Sequence, residues 1–148
     1  MLDVRRLCLV LLAASFLPLT SAAQSFLTTN DVVLTIGDSI TAQGGYQGYA
    51  QRVLDTLYPG AGIRLVNRGV GGMSADGGVS VMGSCLKEDK PSVVAVMFGV
   101  NDTRWNASDK SAKTLAFTNS LARCIELAST SQVRVILLRE TPFSHGQA

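Results

Sequence analysis

Four short apolar runs alternate with three amphipathic stretches along this chain, and their spacing predicts a parallel α/β domain. Val32-Val33-Leu34-Thr35-Ile36 is a largely β-branched run that stops at Gly37, which reads as a buried strand. Ile63 to Val66, Ser92 to Phe98 and Val133 to Leu138 read as three more. After the first run, Tyr46, Tyr49, Ala50, Val53, Leu54 and Leu57 recur at the spacing of one helix face, and Pro59-Gly60 ends the helix. Tyr46 and Tyr49 could line a substrate cleft, but at that spacing they are expected in the core. A second, short helix is expected after the second strand, capped by Ser74 and Asp76, with Met82, Cys85 and Leu86 facing inward. Lys87-Glu88-Asp89-Lys90-Pro91 reads as a solvated break. Phe117, Leu121, Cys124, Ile125 and Ala128 form the stripe of a third helix. Strands and helices in that order imply right-handed crossovers and a three-layer α/β/α, doubly wound parallel sheet.

Upstream of this pattern, residues 1–23 have the layout of a secretory signal peptide. Arg5 and Arg6 supply the positive end, Leu7 to Leu19 is an apolar run too short to span a bilayer, and Ser21-Ala22-Ala23 offers small residues at a cleavage site. Cys8 stands too early for a lipoprotein anchor and is expected to leave with the leader. The expected organisation is therefore a leader, 1–23, and one domain, 24–148, secreted or periplasmic.

Loss of the leader takes the 13 basic and 11 acidic residues down to 11 and 10. A charge so near zero gives no argument for a nucleic-acid partner, or for stable membrane association once the leader is gone. No His/Cys cluster has ligand spacing, so no metal or cofactor is expected. Cys85 and Cys124 are expected to be neighbours on helices that cover one face. Two buried thiols are favoured over a disulfide, which export would permit.

The chemistry is concentrated where three of the strands end. Gly37-Asp38-Ser39-Ile40-Thr41 follows the first strand, and the carboxyl ends of strands are where open α/β sheets hold ligands. Gly37 allows a sharp turn, and Ser39 is the candidate nucleophile. Asp38 and Ser39 would also serve simply as helix caps. The segment is not a Gly-x-Ser-x-Gly elbow, because Thr41 stands at the second glycine. Asn67-Arg68-Gly69-Val70-Gly71-Gly72-Met73-Ser74 follows the second strand. Its glycines leave amide N–H groups free to face an anion, while a dinucleotide fingerprint fails because Ser74 takes the last glycine position. Gly99-Val100-Asn101-Asp102 follows the third strand. Trp105 lies just beyond it, and Asn101 and Asn106 each open a glycosylation sequon.

These three segments resemble, in order, the first three sequence blocks of the GDSL, or SGNH, hydrolases. The resemblance covers roughly residues 32–142. It implies the strand order 2-1-3-4 with a fifth strand beyond, and a serine-dependent hydrolysis of carboxylic esters. Ser39 would be the nucleophile. The oxyanion would be held by the N–H of Ser39, the N–H of Gly72 (Gly71 being the alternative) and the side-chain amide of Asn101. Asp102 would be structural, holding its loop. The substrate implied is a small-molecule or carbohydrate ester, polysaccharide deacetylation being favoured by export.

The family's fourth block carries an Asp and, a few residues on, the His that acts as base. The one histidine here is His145, and no acidic residue follows Glu140. The chain is therefore expected to lack the last strand, last helix and catalytic dyad, and to be inactive alone. The other reading is a non-catalytic binding or structural relative that kept the cradle and lost the dyad.

Overall fold

A computed structural model describes residues 25–102 and 109–139. Four parallel strands form one sheet, β1 (Val32–Gly37), β2 (Arg64–Asn67), β3 (Val93–Met97) and β4 (Arg134–Leu137), in the order β2-β1-β3-β4. This is the fold and the strand order that the alternating pattern and the resemblance implied. β1 and β3 lie at the centre, where both faces are covered, and β3 is buried at every residue. That double burial is why both sequences read as unbroken apolar runs rather than alternating ones.

Four helices connect the strands: α1 (Ser39–Ala42), α2 (Gly45–Leu57), α3 (Ala75–Asp89) and α4 (Lys110–Thr130). α3 and α4 cover one face. Met82 and Cys85 from α3 and Cys124 and Ala128 from α4 pack there on Leu34, Ile36, Val94 and Val96. Cys85 and Cys124 are therefore members of one cluster, as free thiols. Burial raises the pKa of each, that of Cys124 to about 11. On the other face Val33, Ile63, Val93 and Ala95 meet Leu54 of α2 and Leu27.

Three local readings change. α2 does not bury Tyr49, which is 65% exposed, or Leu57, 64% exposed; Tyr46 is half-buried, and Gln47 is the buried residue. The face turned to the sheet is Gln47, Gln51 and Leu54, a polar-rich stripe that hydrophobicity alone does not reveal. Gln51 uses its amide at the sheet edge, donating to the Ile63 carbonyl at 2.8 Å and accepting from the Leu65 N–H at 2.9 Å. Second, the expected solvated break is the last turn of α3, which runs to Asp89 and ends where Lys90 turns left-handed (φ 45) before Pro91. Arg68 holds that end through Asp89, at 2.8 and 2.9 Å, and Glu88. Third, the helix that Asp38 or Ser39 could cap is a separate short one, α1, and not α2.

At the amino ends of the strands, far from the glycine-rich loops, a buried ionic cluster ties the sheet together. Asp31 accepts from the Thr28 N–H at 2.6 Å, from Ser92 Oγ at 2.7 Å and from Arg134 at 2.5 Å. Arg134 also donates to the Phe26 carbonyl and lies over the Phe26 ring. Burial works against the Asp31 charge, yet these donors outweigh it and hold the pKa at about 2.

Candidate active site

Gly37 ends β1 because nothing larger fits. A Cβ there would lie 2.2 Å from Thr41 Oγ1 and 2.5 Å from the Met97 carbonyl oxygen. The chain can therefore fold straight back into α1, with Thr41 packed against the strand end. Asp38, fully buried, caps α1 by accepting from the Ile40 N–H at 2.9 Å. Ser39 is the first helical residue and is exposed. As such its own N–H has no carbonyl one turn behind it. Of the two residues that could have been simple caps, Asp38 is one and Ser39 is not.

The loop after β2 approaches closely from the side. A Cβ on Gly69 would lie 2.3 Å from the Ala42 nitrogen, so this glycine is what lets the two loops touch. The Val70 N–H donates to the Gly37 carbonyl at 3.0 Å, and Met73 N–H closes a turn onto the Val70 carbonyl at 3.1 Å. Within that turn Gly72 is left-handed (φ 77) and exposed. Among the described residues neither Gly71 nor Gly72 donates its N–H to a protein acceptor.

Asn101 brings the third loop in. Its amide nitrogen donates to the Met73 carbonyl at 3.0 Å and stands 3.5 Å from Asp38 Oδ2. One N–H is well used, and the other has only a contact at the limit of hydrogen bonding. Asp102 is structural, as expected: Oδ1 accepts from the Ala75 N–H at 2.9 Å, adding a second cap to α3 beside Ser74. Its Oδ2 is buried without a partner among the described residues, and burial raises its pKa.

Ser39, Gly72 and Asn101 are therefore placed at the carboxyl ends of three adjacent strands, β1, β2 and β3. Asn101 touches the immediate neighbour of each of the other two. The sequence reading missed the polar residues beneath them. Gln47 donates to Thr35 Oγ1 at 3.2 Å and to the Thr41 carbonyl at 2.9 Å. Asn67 donates to the same carbonyl at 2.8 Å. Tyr46 puts its hydroxyl 3.2 Å from Thr41 Oγ1, and burial raises its pKa. The available signal was Thr35, a lone hydroxyl in an apolar strand. Residues 1–23, the expected leader, together with Trp105, the Asn106 sequon, Glu140 and His145, lie outside the described residues.

The sequence profile of the GDSL-like Lipase/Acylhydrolase family matches residues 35–148. An acetylxylan esterase of Geobacillus stearothermophilus is 33% identical in a match taking in 55% of this chain and 43% of that protein. The crystal structure of a catalytic mutant of an acetylxylan esterase from the same organism superposes with a TM-score of 0.59 at 26% identity, over 76% of this chain and 61% of that one. The crystal structure of TesA superposes with a TM-score of 0.64 at 25% identity, over 78% of this chain and 64% of that one. The chain thus spans under half the length of the curated relative and about three fifths of the solved ones.

Proposed function

The chain belongs to the GDSL-like lipase/acylhydrolase family, a family of ester hydrolases, and from that premise we propose that Ser39 is the nucleophile of a carboxylic-ester hydrolase acting on carbohydrate acetyl esters. The observation that carries the reading is the position of the Asn101 amide, bonded beside Gly72 and lying within 3.5 Å of Asp38, next to Ser39. That pair of contacts draws the loops bearing Ser39, Gly72 and Asn101 together at one end of the sheet.

The chemistry follows from those groups. Ser39 Oγ, losing its proton to a base, forms a bond to the ester carbonyl carbon, and the carbonyl electron pair moves onto oxygen. That oxyanion takes the N–H groups of Ser39 and Gly72 and the second N–H of Asn101. A single such donor contributes about 2.7–4 kcal/mol to lowering the barrier. Collapse expels the sugar alcohol and leaves an acetyl-Ser39, which water hydrolyses to acetate. The base and its acidic partner are assigned to a segment of Asp-x-x-His type, which residues 1–148 do not contain. The carbohydrate acetyl ester is favoured by the acetylxylan esterase matches among the similar proteins. It fits an exported domain of residues 24–148, released by cleavage after Ala23.

The test is covalent labelling by a fluorophosphonate, together with acetate release from acetylated xylooligosaccharides, for residues 1–148 followed by an Asp-x-x-His segment taken from a relative, and for the same protein with Ser39→Ala. Label on the Ser39 peptide, lost in the variant, is the expected result. Equal labelling of both proteins overturns the assignment.

A further inference from the structure

The carbonyl oxygen of Thr41 is oversubscribed. It accepts from Gln47 Nε2 at 2.9 Å, from Asn67 Nδ2 at 2.8 Å and from the Gly44 N–H at 3.0 Å. A carbonyl offers two lone pairs, and here three donors converge from α2, the end of β2 and the turn between α1 and α2. Thr41 belongs to the single turn of helix that begins with Ser39. A helix of four residues has too few internal bonds to hold itself, so what fixes Ser39 in space must come from outside α1.

Both side-chain donors reach beyond that carbonyl. Gln47, 5% exposed, spends its other N–H on Thr35 Oγ1, which itself donates to the Val66 carbonyl at 3.1 Å. Its own Oε1 is buried with no partner among the described residues, a costly state that an apolar side chain would avoid. Asn67 turns its Oδ1 the other way and accepts from the Gly69 N–H at 2.9 Å. One amide therefore ties the α1 turn to β1 and β2, and the other ties it to the loop that carries Gly72.

We propose that Gln47 and Asn67 are positioning residues that hold the Ser39 turn, through the Thr41 carbonyl, in fixed register with the Gly72 loop. The inference rests on the reading of Ser39 as nucleophile, because a nucleophile and its oxyanion donors must stay aligned to within about half an ångström. Neither residue touches the reacting atoms. Their effect is on how much of the time Ser39 and Gly72 share one geometry.

The experiment uses the full chain with Gln47→Leu and Asn67→Asp. The second change keeps an acceptor for Gly69 but removes the donor to Thr41. Hydrogen exchange is followed at Ala42, Gln43 and Gly44 and, as a control, at Val93 to Met97. Fluorophosphonate labelling of Ser39 is timed in the same proteins. Each variant should speed exchange in the turn by about tenfold, the loss of one hydrogen bond, with β3 unchanged and labelling slowed in parallel. Exchange at the parent rate in the turn, or an equal rise throughout β3, overturns the proposal. Asn67 is exposed, so Asn67→Asp decides the matter if Gln47→Leu does not fold. Should Ser39→Ala label as fast as the parent, the nucleophile assignment fails, while the exchange data still judge the clamp.

Discussion

Asn101 Nδ2 donates to the Met73 carbonyl at 3.0 Å, and this bond makes the loops after β2 and β3 a single unit. Removing the side chain should therefore do two things at once, deleting the proposed oxyanion donor and freeing the Gly72 turn. In a protein whose residues 1–148 are followed by an Asp-x-x-His segment, Asn101→Ala is expected to lower kcat for an activated aryl ester by about a hundredfold or more, with a smaller change in KM. A loss confined to KM would mean the amide binds substrate without stabilising the oxyanion.

Two glycines should respond in opposite ways. At Gly37 a methyl group meets Thr41 Oγ1 and the backbone of Met97, and neither the strand nor the packed threonine has room to withdraw. Gly37→Ala should destabilise the domain by about 3 kcal/mol in urea titration. At Gly72 nothing lies within 4 Å, but φ is 77. Gly72→Ala should cost only about 1–2 kcal/mol for the left-handed backbone, with the loss appearing in kcat.

Acid should weaken the fold through Asp31. Its pKa falls from 3.8 to about 2 on folding, so the stabilisation is complete above the unfolded value and disappears as pH drops through the folded one. The side chain is 5% exposed, and the shift corresponds to about 2 kcal/mol lost between pH 5 and pH 2. Urea midpoints across that range should fall for the parent. Asp31→Asn should start lower and show a flatter slope.

His145 is expected to be a bystander. No acidic residue precedes it at the family's spacing. His145→Ala should leave the slow turnover of an activated aryl ester by residues 1–148 unchanged within about twofold, a remnant of the kind a site without its base retains. Brisk hydrolysis by the parent, abolished in the variant, would make His145 the base.

The architecture was legible because buried parallel strands leave an unmistakable trace: Val93 to Met97 has no polar residue in it. The strand ends were legible too, since Gly37, Gly69 and Asn101 stand where the backbone must turn or approach. Illegible was the orientation of α2. Tyr46, Tyr49 and Leu57 gave the stronger periodic signal, but the helix sits at the rim of the sheet, where backbone groups need partners as much as apolar surface needs cover. Gln47 and Gln51 supply those partners, and no hydrophobicity pattern registers a hydrogen bond. Asp102 was read as structural, but its partner, the Ala75 N–H, lies 27 residues away along the chain and only folding brings it near.

The amide of Gln51 on Ile63 and Leu65 also guards a margin of the sheet. By taking the Ile63 carbonyl and the Leu65 N–H, it withdraws two of the ladder groups that an approaching strand would need at the start of β2. A foreign strand arriving on that side meets an interrupted row, so one side chain discourages edge pairing without a further strand to cover it.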